Sequence, residues 1–386
     1  MARLMMKTWF PLAIAFCISG LNPARSDEIV PQPQATLDAA VYSPDGKHIA
    51  TCCGVDTFLW NIETGSVVRT FTGHTDQVRF VAFSPNGTKV LTGSSDGTAK
   101  LWDVATGDSV GPFTLNKTYV LPVALSPDGT KVLTGLGQED KTAKLWDAAT
   151  GACMRTFTGH KGRVESVAFS RDGTKVLTGC SDGTVKLWDA ATGECIRTFS
   201  RCGGWAISVA FSTDGTKVLA RGCLGSIKLW DAATGDCIRT LDATQTLADS
   251  VVRSVAISRD GTKVLMEGYG NVAKLWDVAT GDCIRTFAGH TGGVRSVAFS
   301  QDGTKVLTGG DYVDKTAKLW DAATGACIRT FTGHTNRVQS VGFSPDGTKV
   351  LTASSDNSAK LWDATTGVCI RTFTAPVTAD KPAATK

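Results

Sequence analysis

The sequence predicts an all-β protein in which one ring is built from eight four-stranded blades. The first observation is that a Trp between Leu and Asp or Asn recurs eight times, at Trp60, Trp102, Trp146, Trp188, Trp230, Trp276, Trp320 and Trp362. The second is that successive members lie 42 to 46 residues apart, which divides most of the 386 residues into similar units. Because one such unit cannot bury its apolar faces alone, all eight are expected to stack as one body.

The fourth unit illustrates the strand pattern within one repeat. Its first strand is predicted at Val164–Ser170, where apolar residues alternate with small or polar ones. Asp172-Gly173 then predicts a hairpin turn, because Gly accepts the positive φ that such turns require. Further strands are predicted at Lys175–Thr178, Val185–Trp188 and Cys195–Phe199. Four short antiparallel strands form a twisted blade, and both of its faces can pack on neighbouring blades.

The N-terminal segment has the layout of a secretory signal peptide. Basic residues (Arg3 and Lys7) precede an apolar run from Trp9 to Leu21, and a small-x-small cleavage site ends at Ser26. We therefore expect residues 1–26 to be removed and the mature protein to be periplasmic or secreted, without a stable membrane span after cleavage. An uncleaved anchor is the alternative, although the apolar run is short for a span.

The remaining chain is assigned by composition and periodicity. Residues 27–35 form a lead-in segment, residues 36–374 the eight-bladed propeller, and residues 375–386 a flexible tail. Seven blades with a degenerate first unit is the alternative, and a strand at 28–30 is the one spare candidate for closing the ring. The formal net charge of +4 is too small to indicate a surface that binds nucleic acid. A monomer that binds no nucleic acid is expected.

The period, the Leu-Trp-Asp ending and the Gly-His pairs before several first strands resemble the WD40 repeat family of β-propellers. The resemblance implies that members mostly bind other molecules, and that a His, a Thr, an Asp and the Trp of a blade form a buried network. Within such a network the Trp N–H donates to the hydroxyl and neutral His donates to the carboxylate. The matching sets here are His74, Thr92, Asp96 and Trp102; His160, Thr178, Asp182 and Trp188; His290, Thr308, Asp314 and Trp320; and His334, Thr352, Asp356 and Trp362.

A Thr-His-Asp set also resembles a hydrolase triad. Four copies suit a structural brace better than an active site, so no catalytic residue is assigned. Some eight-bladed propellers are quinone-dependent dehydrogenases, and Cys52-Cys53 resembles a vicinal disulfide of that group. The Ala-x-Asp-x-x-x-Gly-Lys-x-x-Trp docking motif of those enzymes is missing here. His and Cys are too dispersed along the chain to predict a zinc site, so neither a metal nor a cofactor is expected.

The fifth and sixth units depart from the pattern. Unit 5 has Cys202, Ala220 and Leu224 in place of His, Thr and Asp, while unit 6 has Met266 and Gly270 in the last two places. A disulfide between Cys202 and Cys223 is a possible replacement for the missing His-Asp bond. Six further cysteines recur at one position of the fourth strand and are expected to be small packing residues: Cys153, Cys195, Cys237, Cys283, Cys327 and Cys369.

Aromatic and Arg side chains on the loops around the channel are the candidate binding residues, because these residue types dominate protein-binding hot spots. They are Tyr119, Arg163, Trp205, Arg253, Tyr269, Arg295, Tyr312 and Arg337. Tyr119 and Trp205 have an alternative role, which is to fill gaps left by missing histidines. The sequence therefore predicts an exported, non-catalytic scaffold that binds a protein or peptide on this face. The alternative is a structural module of the cell envelope without a defined ligand.

Overall fold

The computed structural model describes residues 37–375, apart from 115–121, 138, 201, 203, 213, 223–225, 243–253 and 269. The described chain folds into eight four-stranded antiparallel sheets arranged as a ring. The predicted signal peptide and lead-in, and the tail beyond Ala375, lie outside the described residues. Within the described part of the chain, no helix is long and apolar enough to cross a membrane.

The strands follow the chain in order, four to a blade. Blades 1 and 2 consist of β1 (Leu37–Tyr42), β2 (His48–Cys53), β3 (Asp56–Asn61), β4 (Val67–Phe71), β5 (Val78–Phe83), β6 (Lys89–Ser94), β7 (Thr98–Asp103) and β8 (Ser109–Thr114). Blades 3 and 4 consist of β9 (Val123–Leu125), β10 (Lys131–Gly135), β11 (Ala143–Asp147), β12 (Cys153–Phe157), β13 (Val164–Phe169), β14 (Lys175–Cys180), β15 (Val185–Asp189) and β16 (Cys195–Phe199).

Blades 5 and 6 consist of β17 (Ala206–Phe211), β18 (Lys217–Gly222), β19 (Ser226–Asp231), β20 (Cys237–Asp242), β21 (Val255–Ile257), β22 (Lys263–Gly268), β23 (Val272–Asp277) and β24 (Cys283–Ala288). Blades 7 and 8 consist of β25 (Val294–Phe299), β26 (Lys305–Gly310), β27 (Ala317–Asp321), β28 (Cys327–Phe331), β29 (Val338–Phe343), β30 (Lys349–Ser354), β31 (Ser358–Asp363) and β32 (Cys369–Thr374).

Eight blades are confirmed, and the first unit forms a complete blade of its own. The seven-blade alternative is therefore wrong. The strands of unit 4 start where the sequence predicted, although β14 continues two residues further, to Cys180. Its first hairpin turns at Gly173, whose φ of 70° lies in the region that favours glycine.

The hydrophobic core lies between blades. In seven of them the Trp of the third strand packs against a Phe from the fourth strand of the preceding blade, as in the Phe157–Trp188 pair with ring centroids 5.5 Å apart. The Phe373–Trp60 pair, at 5.6 Å, joins the last blade to the first in the same way. Leu37 and Phe58 are buried in this closing cluster. Within the described residues, the ring thus closes by side-chain packing between two blades whose strands are each consecutive in sequence.

An Arg on the fourth strand forms a second link between blades, which the sequence analysis missed. Its guanidinium donates to backbone carbonyls in the turn after the third strand of the next blade. Arg371 donates to the carbonyls of Thr64 (3.0 Å) and Glu63 (2.7 Å), which ties blade 8 to blade 1. Equivalent bonds are formed by Arg69, Arg155, Arg197, Arg239, Arg285 and Arg329. We call these residues the clasp arginines. Blade 2 has Gly111 in this place.

Candidate functional site

The four predicted residues of blade 2 form a continuous hydrogen-bonded chain. Trp102 Nε1–H donates to Thr92 Oγ1 at 2.8 Å. The same hydroxyl lies 2.8 Å from His74 Nε2, and His74 Nδ1 lies 2.9 Å from Asp96 Oδ2. With the proton on Nδ1, His74 donates to the carboxylate and accepts from the hydroxyl. The arrangement links the leading loop, which precedes the first strand, to the second and third strands.

The other three sets lie in the same places. Trp188, Trp320 and Trp362 donate to Thr178, Thr308 and Thr352 at 2.8–2.9 Å. His160, His290 and His334 approach those hydroxyls through Nε2 at 2.6–2.7 Å. The distance from His Nδ1 to the Asp carboxylate is 2.9 Å at Asp314 and 2.8 Å at Asp356, but 3.5 Å at Asp182. Blade 4 therefore has the longest distance between His Nδ1 and the Asp carboxylate among the four sets.

Burial and hydrogen bonding determine the charges in these sets. Burial lowers the pKa of His74 and of His160, and the neighbouring carboxylates offset this only in part. Burial alone would raise the pKa of Asp182, but hydrogen bonds from Thr184 and from the Lys161 backbone N–H outweigh it and lower the pKa to about 2. Neutral imidazoles beside carboxylates are the form that suits a permanent brace.

Blades 5 and 6 have a different interior. Trp276 Nε1 is buried and has no acceptor among the described residues, since Met266 replaces the Thr. In the next position, where blades 2, 3, 4 and 7 have Gly, blade 5 has Arg221 (2 % exposed) and blade 6 has Glu267 (6 % exposed). Neither residue was predicted from the sequence. A charged residue replacing Gly within a repeated strand was the signal that could have found them.

The candidate binding residues that the structure describes lie at one end of the ring, which we call the channel face. They are Arg163, Trp205, Arg295, Tyr312 and Arg337. Ala206, at the start of β17, pairs with Gly222 at the end of β18, and Val294 pairs likewise with Gly310. The leading loop and the loop from the second to the third strand therefore share one end of the blade. First strands of neighbouring blades contact each other, as β1 and β5 do, which places these loops around the central channel.

Among the described residues of the channel face, two aromatic side chains are prominently exposed. Trp205 in the leading loop of blade 5 is 52 % exposed, and Tyr312 in blade 7 is 64 % exposed. Val313 beside Tyr312 is 56 % exposed. The Asp311 carboxylate holds this loop by accepting from the backbone N–H groups of Gly293 and Val313, both at 2.9 Å. The loop that presents Tyr312 is thus preorganised.

The predicted arginines are partly engaged with their own blade or the next one. Arg163 Nε donates to Glu165 at 2.7 Å, and Arg337 Nε donates to Ser355 Oγ at 3.1 Å. Arg295 reaches the next blade and donates to Gln339 Oε1 at 3.0 Å. Burial raises the pKa of Glu165, although Arg163 opposes the shift. These contacts hold the guanidinium groups in defined positions near the channel.

Tyr119, Arg253, Tyr269, Cys223 and Leu224 lie outside the described residues. The Cys202–Cys223 disulfide and the contribution of the first three residues to a binding surface therefore stay predictions. Cys202 itself is buried in the core between blades 4 and 5. Burial raises the pKa of its thiol to about 12.

The prediction for the six repeated cysteines was wrong. All six are exposed on the fourth strands, and each sulfur lies near the carbonyl of the clasp arginine two residues later, as in the 3.5 Å contact of Cys195 with Arg197. In these strands the buried residue is the Phe four positions after the Cys, as the burial of β16 shows, or Leu241 in β20. Cys52 and Cys53, by contrast, are buried strand residues of β2. Burial raises the pKa of the Cys53 thiol to about 11.

The opposite end of the ring also has a cavity, with a volume of about 460 Å³. Charged residues from blades 4, 6 and 7 line it, among them Arg171, Arg259, Lys263 and Asp302. No aromatic residue is among the described residues that line it. It therefore lacks the type of anchor that the channel face presents.

Comparison with known proteins agrees with the geometry. Residues 65–103, 117–147, 151–189, 193–231, 281–321 and 325–363, more than half of the chain, match the family described as "WD domain, G-beta repeat". A curated relative, THO complex subunit 6 of Arabidopsis thaliana, is 31% identical over 70 residues, which are 18% of this chain and 19% of that protein. The chain thus matches only about a fifth of that relative's length.

Among solved structures, the crystal structure of the computationally designed Ika8 protein is similar, with a TM-score of 0.73 and 27% identity over 86% of this chain and 98% of that chain. The region 232–280 lies outside the family match, and it supplies β21, β22 and β23, three of the four strands of blade 6. WD40 propellers are generally non-catalytic scaffolds that bind protein partners. The repeat period, the eight blades and the extent of the match together show that this chain belongs to the WD40 family.

Proposed function

We propose that the protein is an exported, non-catalytic scaffold that binds a protein or peptide on the channel face of the propeller. The observation that carries the proposal is the presence of exposed aromatic residues, Trp205 and Tyr312, on one end of the ring. Large, rigid aromatic side chains supply contact area at low entropic cost and are enriched at hot spots. Arg163, Arg295 and Arg337 on the same face add donors for carboxylates or carbonyls of a partner.

Export rests on the N-terminal segment alone. A basic start, a short apolar run and a small-x-small site support cleavage before Asp27. Expression with the native N-terminus, followed by N-terminal sequencing of the protein in the medium or periplasm, tests this directly. A chain that starts near Asp27 supports export, whereas an intact Met1 in the cytoplasm contradicts it.

Affinity capture from the envelope and medium of the exporting cell tests the binding face. The baits are the mature protein, a face variant (Trp205→Ala, Tyr312→Ala and Arg337→Ala) and a rim variant (Met154→Ala, Ile196→Ala and Ile370→Ala). The rim residues are also exposed and apolar, at 40%, 44% and 44%, but lie on the outer strands. They therefore provide a matched control for the loss of exposed side chains.

A partner retained by the mature protein and the rim variant, but lost by a folded face variant, supports the proposal. Hot-spot truncations cost about 2 kcal/mol or more, so we expect Kd to rise by about 30-fold or more. Loss in the rim variant alone would place the binding site on the outer strands and contradict the channel face. Capture of nothing by any bait would favour a structural envelope module and end the scaffold proposal.

A further inference from the structure

The brace of blade 4 differs from the others in one residue. Cys180, at the end of β14, stands where blades 2 and 8 have Ser94 and Ser354. The metal-ligating atoms of His160, Cys180 and Asp182 all lie within 4.8 Å of one another. His160 and Cys180 are buried, and Asp182 is partly exposed. Folding thus brings His160 of the leading loop next to Cys180 and Asp182, which lie two residues apart at the end of β14 and in the turn that follows.

The spacing in blade 4 suits a metal ion better than a direct hydrogen bond. In tetrahedral zinc sites the bonds are about 2.0–2.3 Å long, so neighbouring ligand atoms are about 3.3–3.8 Å apart. His160 Nδ1 and Asp182 Oδ2 are 3.5 Å apart, whereas the corresponding atoms are 2.9 Å apart in blade 2 and 2.8 Å apart in blade 8. The His-Asp contact is therefore wider in the blade that also supplies a sulfur.

The geometry points to a Zn²⁺ site on the channel face, formed by His160, Cys180 and Asp182 with a fourth position for water. Nitrogen, sulfur and carboxylate oxygen are the donors that Zn²⁺ accepts, and three protein ligands with one solvent position are typical of open zinc sites. On binding, the Cys180 thiol releases one proton to solvent, His160 binds through the Nδ1 lone pair, and Asp182 binds as its carboxylate.

The surrounding residues orient the three ligands. His160 Nε2 lies 2.6 Å from Thr178 Oγ1, and a metal-bound imidazole needs such an acceptor for its second N–H. The Asp182 backbone N–H donates to Cys180 Sγ at 3.3 Å, which favours a thiolate. Asp182 Oδ2 is positioned by the Lys161 N–H at 2.8 Å. Gly162 adds no side chain beside the sulfur, whereas blades 2 and 8 have Asp76 and Asn336 there.

The test uses Co²⁺ as a spectroscopic probe of the mature protein, purified reduced and free of metal, followed by competition with Zn²⁺. The decisive variant is Cys180→Ser, which gives blade 4 the residue found in blades 2 and 8 and is therefore compatible with a folded blade. Cys153→Ser, which removes an exposed thiol from the outer strand of blade 3, is the control.

We expect one equivalent of Co²⁺ with a thiolate-to-metal charge-transfer band, and a rise in Tm with Zn²⁺. Both are lost in Cys180→Ser and kept in Cys153→Ser. Affinity should fall by more than about 100-fold, because changes around a metal site alone cost about 10–100-fold. Three results would each overturn the site: no stoichiometric binding, a band that persists in Cys180→Ser, or a band that disappears in Cys153→Ser. A metal-free Tm close to that of the parent shows that Cys180→Ser remains folded.

Discussion

At the scale of single residues, the Thr hydroxyl is the centre of each brace. Thr352 Oγ1 accepts from Trp362 Nε1 at 2.9 Å and lies 2.7 Å from His334 Nε2. All three residues are buried. A buried N–H that loses its acceptor has already given up its hydrogen bonds to water, and nothing replaces them. Removing the hydroxyl should therefore lower the free energy of unfolding by more than one average hydrogen bond contributes.

We therefore expect Thr352→Val to lower the free energy of unfolding by about 1–3 kcal/mol, because the Trp362 N–H is left without an acceptor. The midpoint of urea unfolding measures this. Thr372→Val on β32 is the control, since that side chain is exposed, and should change stability by less than about 0.5 kcal/mol. Equal effects of the two substitutions would mean that the brace contributes little.

The titrating groups of the braces predict a loss of stability in acid. The lowered pKa of His74 and His160 means that the unfolded chain binds more protons below its own His pKa of about 6.5, so stability falls as the pH drops through that value. Asp128, Asp172, Asp182, Asp214 and Asp260, each with a pKa of about 2, add a further loss between about pH 4 and 2. Urea midpoints from pH 8 to pH 3 check the trend. A midpoint that rises between pH 7 and 5 would contradict it.

At this scale, the resemblance to WD40 repeats implies which His, Thr, Asp and Trp meet, and the four sets do meet because the intervening hairpins leave little freedom of register. It does not predict the approach of Cys180 to His160, since the sequence shows Cys180 merely as a substitute for Ser. Nor does it show that Arg221 and Glu267 are buried, because burial depends on the neighbouring blade.

At the scale of elements, the fourth strand shows why a residue's place within a blade determines its exposure. The strand is the outermost of four, and in β16 only Phe199 is fully covered, while Cys195 and Ile196 are exposed. The cysteines were placed correctly on the fourth, outer strand, but the prediction that they would be packing residues failed because that position on the outermost strand is not covered by a neighbouring blade. The bounds of the strands were predictable since turns with Gly recur at fixed places.

The clasp arginines lead to a prediction about ring closure. Arg371→Ala removes the bonds to the Glu63 and Thr64 carbonyls and should lower stability by about 1–2 kcal/mol. Hydrogen exchange should become faster in β32, which carries Arg371, and in β4, which follows the turn that holds the two carbonyls. Ile370→Ala, the exposed neighbour on the same strand, should leave both strands protected. Unchanged exchange in Arg371→Ala would show that apolar packing alone closes the ring.

At the scale of the whole molecule, the eight blades form a ring whose closing interface resembles the others. The sequence left the mode of closure open, because strand exchange between the chain ends depends on contacts that a repeat pattern does not contain. In the described residues, Phe373 meets Trp60 as Phe71 meets Trp102, at 5.6 and 5.5 Å between ring centroids. Every blade is local in sequence, so within the described residues the closing interface involves no exchange of strands between the first and last blades.

A circular permutant tests this equivalence. The chain would begin at Thr72, run through blade 8, and continue into blade 1 by a linker as long as the segment between β4 and β5. We expect a folded monomer whose Tm lies within a few degrees of the parent, because every interface is retained. A permutant that fails to fold, beside a parent that folds, would show that the natural ends contribute to closure beyond the packing of blades.

The packing of the first blade against the last also determines when blade 1 can be fully buried during synthesis. Blade 1 is the first to leave the ribosome, yet Leu37, Phe58 and Trp60 are covered by residues of blade 8, including Phe373 close to the C-terminus. That apolar face stays exposed until blade 8 has been made, whereas an inner blade is covered by the blade that is synthesised next. The nascent chain therefore exposes an apolar surface that chaperones or other nascent copies can bind during most of translation. This exposure ends when the last strand of blade 8 packs against blade 1.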